Sequence, residues 1–571
     1  MNVLASLIYH HAGLDPISWI IIGGAILGAG YVAYDAQQKA KKAMREAADR
    51  ARGMLYQVRG SNLSRRAPYG RTRLGGLEAQ VNVTGVDNEF IHFILIWGEG
   101  PIDAIESVYF DSELVSFTGT SATGKWADLV DMHHALGGQT TAIASAATNM
   151  PGWSANDKLL GIAHSYVRIK YDQDVFGSGL PSISTVLRGR ANVADPRDDS
   201  TAYTRNAALL LLHYLRDDPL GPQAAAAEFD LPNWIAAANI CDEAVPLKAG
   251  GTQPRYTFDG TIDYSDSAEA IIEQFRMCMG GAVVVYTGGQ WRCYPGVYRV
   301  PTFRLTESMF AGPVRIQNHT GKRQLTNQVK GNFQPESALW HPTTYPTVSN
   351  AAYLTADGEP LVSEQDLIYV STAAACQRLA KIILERGRRP RRIRVACNIE
   401  ALQAQGGLPL LFNYARLGFV DHPCEVIGHD LELVDGALRI MLELRDTAPA
   451  IFAWDGAAEE IIPPVEALPE PLPRRPSGPS GSLENPEGVT VGPDGSNLAL
   501  TWNALLEANE YRINRATSAV GPWTLIATVG TNSYLDTSVS AGQLYVYAIQ
   551  GVTLGGVVSG WSLPVGAEIS V

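Results

Sequence analysis

The sequence predicts a multidomain protein that is mainly β, with α/β insertions, barrel-like β domains, an N-terminal apolar and coiled-coil-like helix and a C-terminal β-sandwich. Three observations predict it. Short β-rich runs separated by Gly-, Asp- and Ser-rich turns fill residues 61–192 and return through residue 444. Residues 205–245 and 266–279 follow the apolar period of helices instead. A proline-rich stretch, residues 463–479 (PPVEALPEPLPRRPSGP), separates this body from a last group of strands. A chain of 571 residues has room for several domains. We expect them at residues 1–60, 61–200, 201–300, 301–460 and 485–571, with a linker at 461–484.

The chain opens on a glycine-rich apolar run, residues 17–34 (ISWIIIGGAILGAGYVAY), just long enough to span a bilayer. No Lys or Arg precedes it, whereas Lys39, Lys41, Lys42, Arg45, Arg50 and Arg52 follow. A secretory signal carries its positive charge first, so this is not one. As a membrane anchor it would keep the body in the cytoplasm. Gly24 and Gly28 form a GxxxG that permits close helix approach. Next, Ala36, Ala40, Ala43, Ala47, Ala51, Met54 and Val58 recur at alternating spacings of three and four, an a/d seam of small residues. It reads either as one helix docked on its own domain or as an axial bundle of symmetry-related copies.

Residues 90–97 (FIHFILIW), 107–110 and 167–171 read as strands. Ala207–Leu215 is an apolar helical run ended by Asp217-Asp218-Pro219. In residues 255–302, Asp266 with Glu269 reads as a capping box. Ile271, Ile272, Phe275, Cys278 and Met279 then form one helical stripe, and Gly280-Gly281 stops the helix. Residues 282–286 and 291–294 read as a hairpin around Thr287-Gly288-Gly289-Gln290. Residues 300–455 read as a barrel-like β domain with one helix at 373–386. Within it Ile393, Val395, Cys397 and Ile399 face inward, and Arg392, Arg394 and Asn398 outward.

Net charge is −13, which excludes a protein held on nucleic acid by a basic field. The six cysteines form no CxxC pair and sit on apolar faces, so they read as reduced, buried thiols without a metal. Residues 119–126 (GTSATGKW) approach a phosphate loop, but Trp126 stands where Ser or Thr must hold Mg²⁺. Asp131, His133 and His134 lack an evident third ligand direction, and His10-His11 read the same way. Carboxylate pairs (Asp111 with Glu113, Asp217 with Asp218, Glu459 with Glu460) occur, but a glycosidase needs two across a cleft. No GxSxG, HExxH or Cys-His signature is present. Neither enzyme activity nor a cofactor is expected.

Several segments resemble, in order, the tail tip (host-specificity protein J-like) family of lambda-like siphophages. They are residues 97–113 (WGEGPIDAIESVYFDSE), 179–193 (GLPSISTVLRGRANV), 236–245 (AAANICDEAV), 255–302 and 367–388. The resemblance covers roughly residues 65–450. It implies hub-type β domains and a homotrimer that closes the tail tube, with roles in host attachment and genome ejection at the tail tip of a virion assembled in the host cytoplasm. The implied partners are the distal tail and other tip proteins, the C-terminus of the tape-measure protein, a host cell-surface receptor, DNA in transit, and the host membrane through the N-terminal segment. With the resemblance, the alanine seam reads as an axial trimer helix. Residues 485–571 look like a fibronectin type III domain, with Trp502 filling its core and Tyr545 at a tyrosine corner. Two other readings stand beside it: a dedicated receptor-binding tail protein, and a secreted glycan hydrolase with a fibronectin module.

Overall fold

The computed structural model describes residues 57–59, 64–176, 180–318, 325–434, 436–463, 486, 488–503, 508, 510–518, 521–552 and 558–569. Gly24, Gly28, Ala36, Ala40, Ala43, Ala47 and Ala51, and nearly all of the proline-rich linker, lie outside them. Among the described residues no helix is long and apolar enough to cross a membrane. The chain divides into two compact units, Met1–Lys170 with Ser182–Leu468, and Tyr171–Pro181 with Pro469–Val571.

The first unit is mainly β. Strands alternate apolar and polar residues because one face meets the core. A seven-stranded sheet runs in the order Val58–Arg59, Leu77–Thr84, Phe90–Glu99, Ile162–Lys170, Val130–Leu136, Ser121–Ala122 and Phe117–Thr118. A four-stranded sheet follows the order Arg71–Gly75, Ile183–Arg190, Ile102–Phe110, Glu113–Val115. The strand Arg66–Tyr69 leaves both and pairs with Gly260–Asp263, nearly two hundred residues on. That pairing ties the β-rich beginning to the α/β segment. Gly189 makes the close crossing possible, since a Cβ there would lie 2.3 Å from the Pro68 carbonyl oxygen.

The largest core draws residues from Ala67 to Phe452. Its centre is the helix Ala207–Arg216, buried from Ala207 through Leu215 and apolar on all sides except at His213. Each of its buried leucines contributes about 1.5–3 kcal/mol. Asn206 caps it, its side-chain oxygen accepting from the Ala208 and Leu209 amides. Around it pack the helices Leu231–Asp242, Ala268–Cys278 and Ala373–Gly387 and the hairpin Val283–Thr287 with Gln290–Tyr294. The cap of Ala268–Cys278 corrects the sequence reading. Ser267 is the N-cap and accepts from the Ala270 amide, while Asp266, one position too early, accepts from Gln274.

A six-stranded sheet has the order Phe303–Leu305, Pro409–Tyr414, Phe419–Val434, Ala437–Asp446, Arg392–Cys397, Arg315–Gln317. It is open, because its two three-residue edge strands do not pair with each other. Ile393, Val395 and Cys397 enter its core. Ile399 does not: it is 54% exposed, because Asn398 ends the strand by accepting from the Glu400 amide and starting a short 3-10 helix.

The described part of the second unit includes a two-sheet sandwich of the fibronectin type III kind. One sheet orders Thr490–Asp494, Asn497–Thr501, Ser533–Asp536; the other orders Thr524–Val529, Glu510–Ala516, Leu544–Val552, Val565–Glu568.

Candidate functional site

Two polar nodes in the first unit form where distant segments meet. At the innermost, strand Arg66–Tyr69 supplies Tyr69, the end of Ile183–Arg190 supplies Arg190, helix Ala207–Arg216 supplies His213, and the turn beyond it supplies Asp218. Asp218 has no exposed surface, and Arg190 and His213 are 1% exposed. Asp218 Oδ2 accepts from Arg190 Nη2 at 3.0 Å, from the Tyr69 hydroxyl at 2.5 Å and from the Tyr264 hydroxyl. Its Oδ1 accepts from the Leu220 amide at 3.0 Å, closing an Asx turn. Arg190 Nη1 donates to the Gly100 carbonyl at 2.6 Å. Three of the segments quoted above thus meet on one carboxylate, through Gly100, Arg190 and Tyr264.

Burial alone would raise the Asp218 carboxyl; the Arg190 charge and the two tyrosine hydroxyls outweigh it and hold it below the usual range. His213, 3.1 Å from the Tyr69 hydroxyl through Nδ1, is pushed down to about 4 by burial and then by Arg190. This is a largely buried joint in which the Asp218 and Arg190 charges meet.

A second node forms on Asp259. Arg205 grips it bidentately, 2.7 Å through both Nε and Nη2. The Arg71 amide and the Ser371 hydroxyl donate to it at 3.0 and 2.9 Å. Glu336 pairs with both Arg71 and Arg205, bringing in the turn before Trp340. Arg71 lies over the Trp340 ring.

One cluster has metal-ligand composition. His422 and Cys424 alternate on one strand, and Asp446 lies opposite Cys424 on its neighbour; their ligand atoms fall within 4.8 Å of one another. Arg391 Nη1 already sits 3.2 Å from both His422 Nε2 and an Asp446 oxygen. His422 Nε2 also lies 2.9 Å from Asp446 Oδ1, so these two groups are engaged with each other and with Arg391.

The other sequence candidates are distributed. Residues 119–126 lie partly in a strand turn and a short 3-10 helix, with Lys125 paired to Glu113 and Trp126 buried. Asp131 pairs with Arg168, His134 meets Ser165, and His133 meets Ser145 and the Tyr166 ring. Asp217 pairs with Arg216, Glu459 with Lys381, and Glu460 accepts from the Lys248 amide. In the sandwich, Trp502 is 3% exposed among Leu498, Leu500 and Tyr511. The Tyr545 hydroxyl accepts from the Ser540 amide at 3.3 Å, and its ring lies under Arg515. Sequence reasoning missed Tyr547, fully buried and donating to Asp536, itself paired with Arg515. Tyr545 and Tyr547 are two apart and share a face of the strand Leu544–Val552, so alternation could not choose between them; Tyr547 lies deeper in the core and Tyr545 at its edge.

No family model and no curated protein sequence matches the chain. Among solved structures it is similar to a chain of the virion of a native gene transfer agent particle, at 14% identity and TM-score 0.49, over 71% of this chain and 89% of that one. It is also similar to a Fn3-like protein from Clostridium thermocellum, at 33% identity and TM-score 0.15, over 16% of this chain and 96% of that one. A third is the sixth fibronectin type III domain of human fibronectin type III domain containing protein 3, at 16% identity and TM-score 0.15, over 16% and 89%.

Proposed function

We propose that the chain is a structural virion protein, the hub at the tip of a long phage tail, acting as a homotrimer that ends the tail tube. The observation that carries this reading is the ordered set of tail-tip-like segments across residues 65–450. Their meeting on Asp218 and Asp259 supports it, because a hub must stay rigid while load passes through it. The acidic charge suits a wall past which DNA slides. In this reading no residue is assigned a catalytic role.

In this reading the N-terminal segment, expected over residues 1–58, lies along the tube axis against symmetry mates and the tape-measure C-terminus and acts as a gate. It ends earlier than the seam predicts, because Val58 starts the strand Val58–Arg59, paired with Leu77 and Glu78. Exposed apolar surface costs about 25 cal/mol per Å², so residues 17–34 require an apolar partner. After triggering, that partner is the host membrane. The seam Ala36, Ala40, Ala43, Ala47 and Ala51, with Gly24 and Gly28, allows three helices to pack closely and then separate. Replacing Ala40, Ala43 and Ala47 with bulky charged residues is expected to give tails that leak, fail to assemble or fail to eject. Normal assembly and infection by that variant would refute the gate.

A further inference from the structure

The six-stranded sheet turns a row of charged side chains away from its core. Arg392 lies directly opposite Arg445 on the next strand, and Arg445 lies opposite Glu425 on the strand after that. Two residues along, Arg394 faces Glu443 and pairs with it at 2.9 Å. Arg445 pairs with Glu425 at 2.5 Å. Both carboxylates are thereby occupied.

Three further guanidiniums lie around the Arg445–Glu425 pair without an ion pair of their own among the described residues. Arg392 is opposite Arg445, and Arg386 reaches the Gly280 carbonyl, against which Gly296 packs. Arg299 covers the Tyr294 ring, which packs on Gly407, whose amide donates to the carbonyl of Val426 beside Glu425. Arg386, near the end of helix Ala373–Gly387, donates only to the carbonyls of Gly280 and Gly281, at 2.6 and 3.3 Å. Arg299 donates to the Pro295 carbonyl at 2.9 Å and lies over the Tyr294 ring. Arg392 makes no side-chain hydrogen bond or ion pair among the described residues. Arg386 and Arg299 both act on Glu425, and Arg392 feels Arg445, Glu443 and Glu425. Burial lowers Arg386 to about 9 and Arg392 to about 10, which still leaves both charged at neutral pH.

Like charges directly opposite each other on a sheet destabilise it. Half-buried guanidiniums lacking a counter-ion add to that cost. In a chain of net charge −13, such an excess in one place calls for an anion from outside. We propose that Arg299, Arg386 and Arg392, grouped around the Arg445–Glu425 pair, form a binding site for a multiply charged oxyanion of the phosphate class. Three unpaired positive charges match a phosphate dianion better than a single carboxylate. The planar guanidinium fork fits two phosphate oxygens at once.

The test measures thermal unfolding of the full chain at pH 7.5 in inorganic phosphate and in sodium chloride of equal ionic strength, with acetate as the monovalent control. The expected result is a midpoint about 2 °C or more higher in phosphate than in either control. Arg392→Gln and Arg386→Gln should lose that shift. Glu425→Gln should unfold earlier in chloride and gain a larger shift in phosphate. Where a variant fails to fold, calorimetric titration of the unmodified chain with phosphate decides, and one site per chain is expected. Equal midpoints in phosphate and chloride, a shift retained in Arg392→Gln, or no heat on titration would overturn the proposal.

Discussion

Asp218 shows how one residue can fix the geometry of several segments. It accepts from two tyrosines, an arginine and a backbone amide, and Tyr69 and Arg190 among these are fully buried with it. Removing Arg190 would leave a buried carboxylate without its counter-charge, so Arg190→Met is expected to destabilise the first unit by about 3–5 kcal/mol. Arg190→Met combined with Asp218→Asn should recover part of that loss. Denaturant midpoints of the two variants check this; equal losses would show that the pair is not the cause. Gly189→Ala, next door, should cost about 2 kcal/mol or more, because its Cβ would strike the Pro68 carbonyl. At this scale the sequence is legible only in part. The apolar run Ala207–Leu215 announces a buried helix. Nothing in Asp217-Asp218-Pro219 says that one aspartate meets solvent and the other the core, since that depends on Arg190 arriving from another strand. Likewise Asp266 and Ser267 are both good caps, and the phase of the helix chooses between them.

Strands and helices carry the pH response. His92 and His164 stand on neighbouring strands of the seven-stranded sheet and His213 on the central helix; all three are buried, and burial lowers each. For a histidine held low, the unfolded chain takes up a proton first. Stability is therefore unaffected above the ordinary value near 6.5 and falls as pH drops below it, down to about 4 for His213. The slope contributed by His213 should approach about 1.4 kcal/mol per pH unit across that window. Asp218, held low by Arg190, adds a loss at still lower pH. Unfolding titrations between pH 7.5 and 4.5 check this, and His213→Gln should flatten the profile. An unchanged slope in that variant would remove His213 as its source. Alternation revealed the inward face at Ile393, Val395 and Cys397, because period two is a local property. It failed at Ile399, where a single Asn398 side-chain bond ends the strand.

For the whole molecule, the mainly β class and the terminal sandwich were legible from turn-punctuated strands and from the proline-rich break. The pairing of Arg66–Tyr69 with Gly260–Asp263 was not, because no local pattern encodes a partner so far along the chain. Deleting residues 485–571 is expected to leave tails that assemble but adsorb poorly; failure to assemble would make the sandwich structural. The central claim is that three copies of this chain close a tail. Electron cryo-microscopy of intact tails, reconstructed without imposed symmetry, tests it most directly. The account predicts three copies of the 61.6 kDa chain around one axis at the distal end of the tube. A tail tip lacking the chain, or holding it in one, two or six copies, would contradict it.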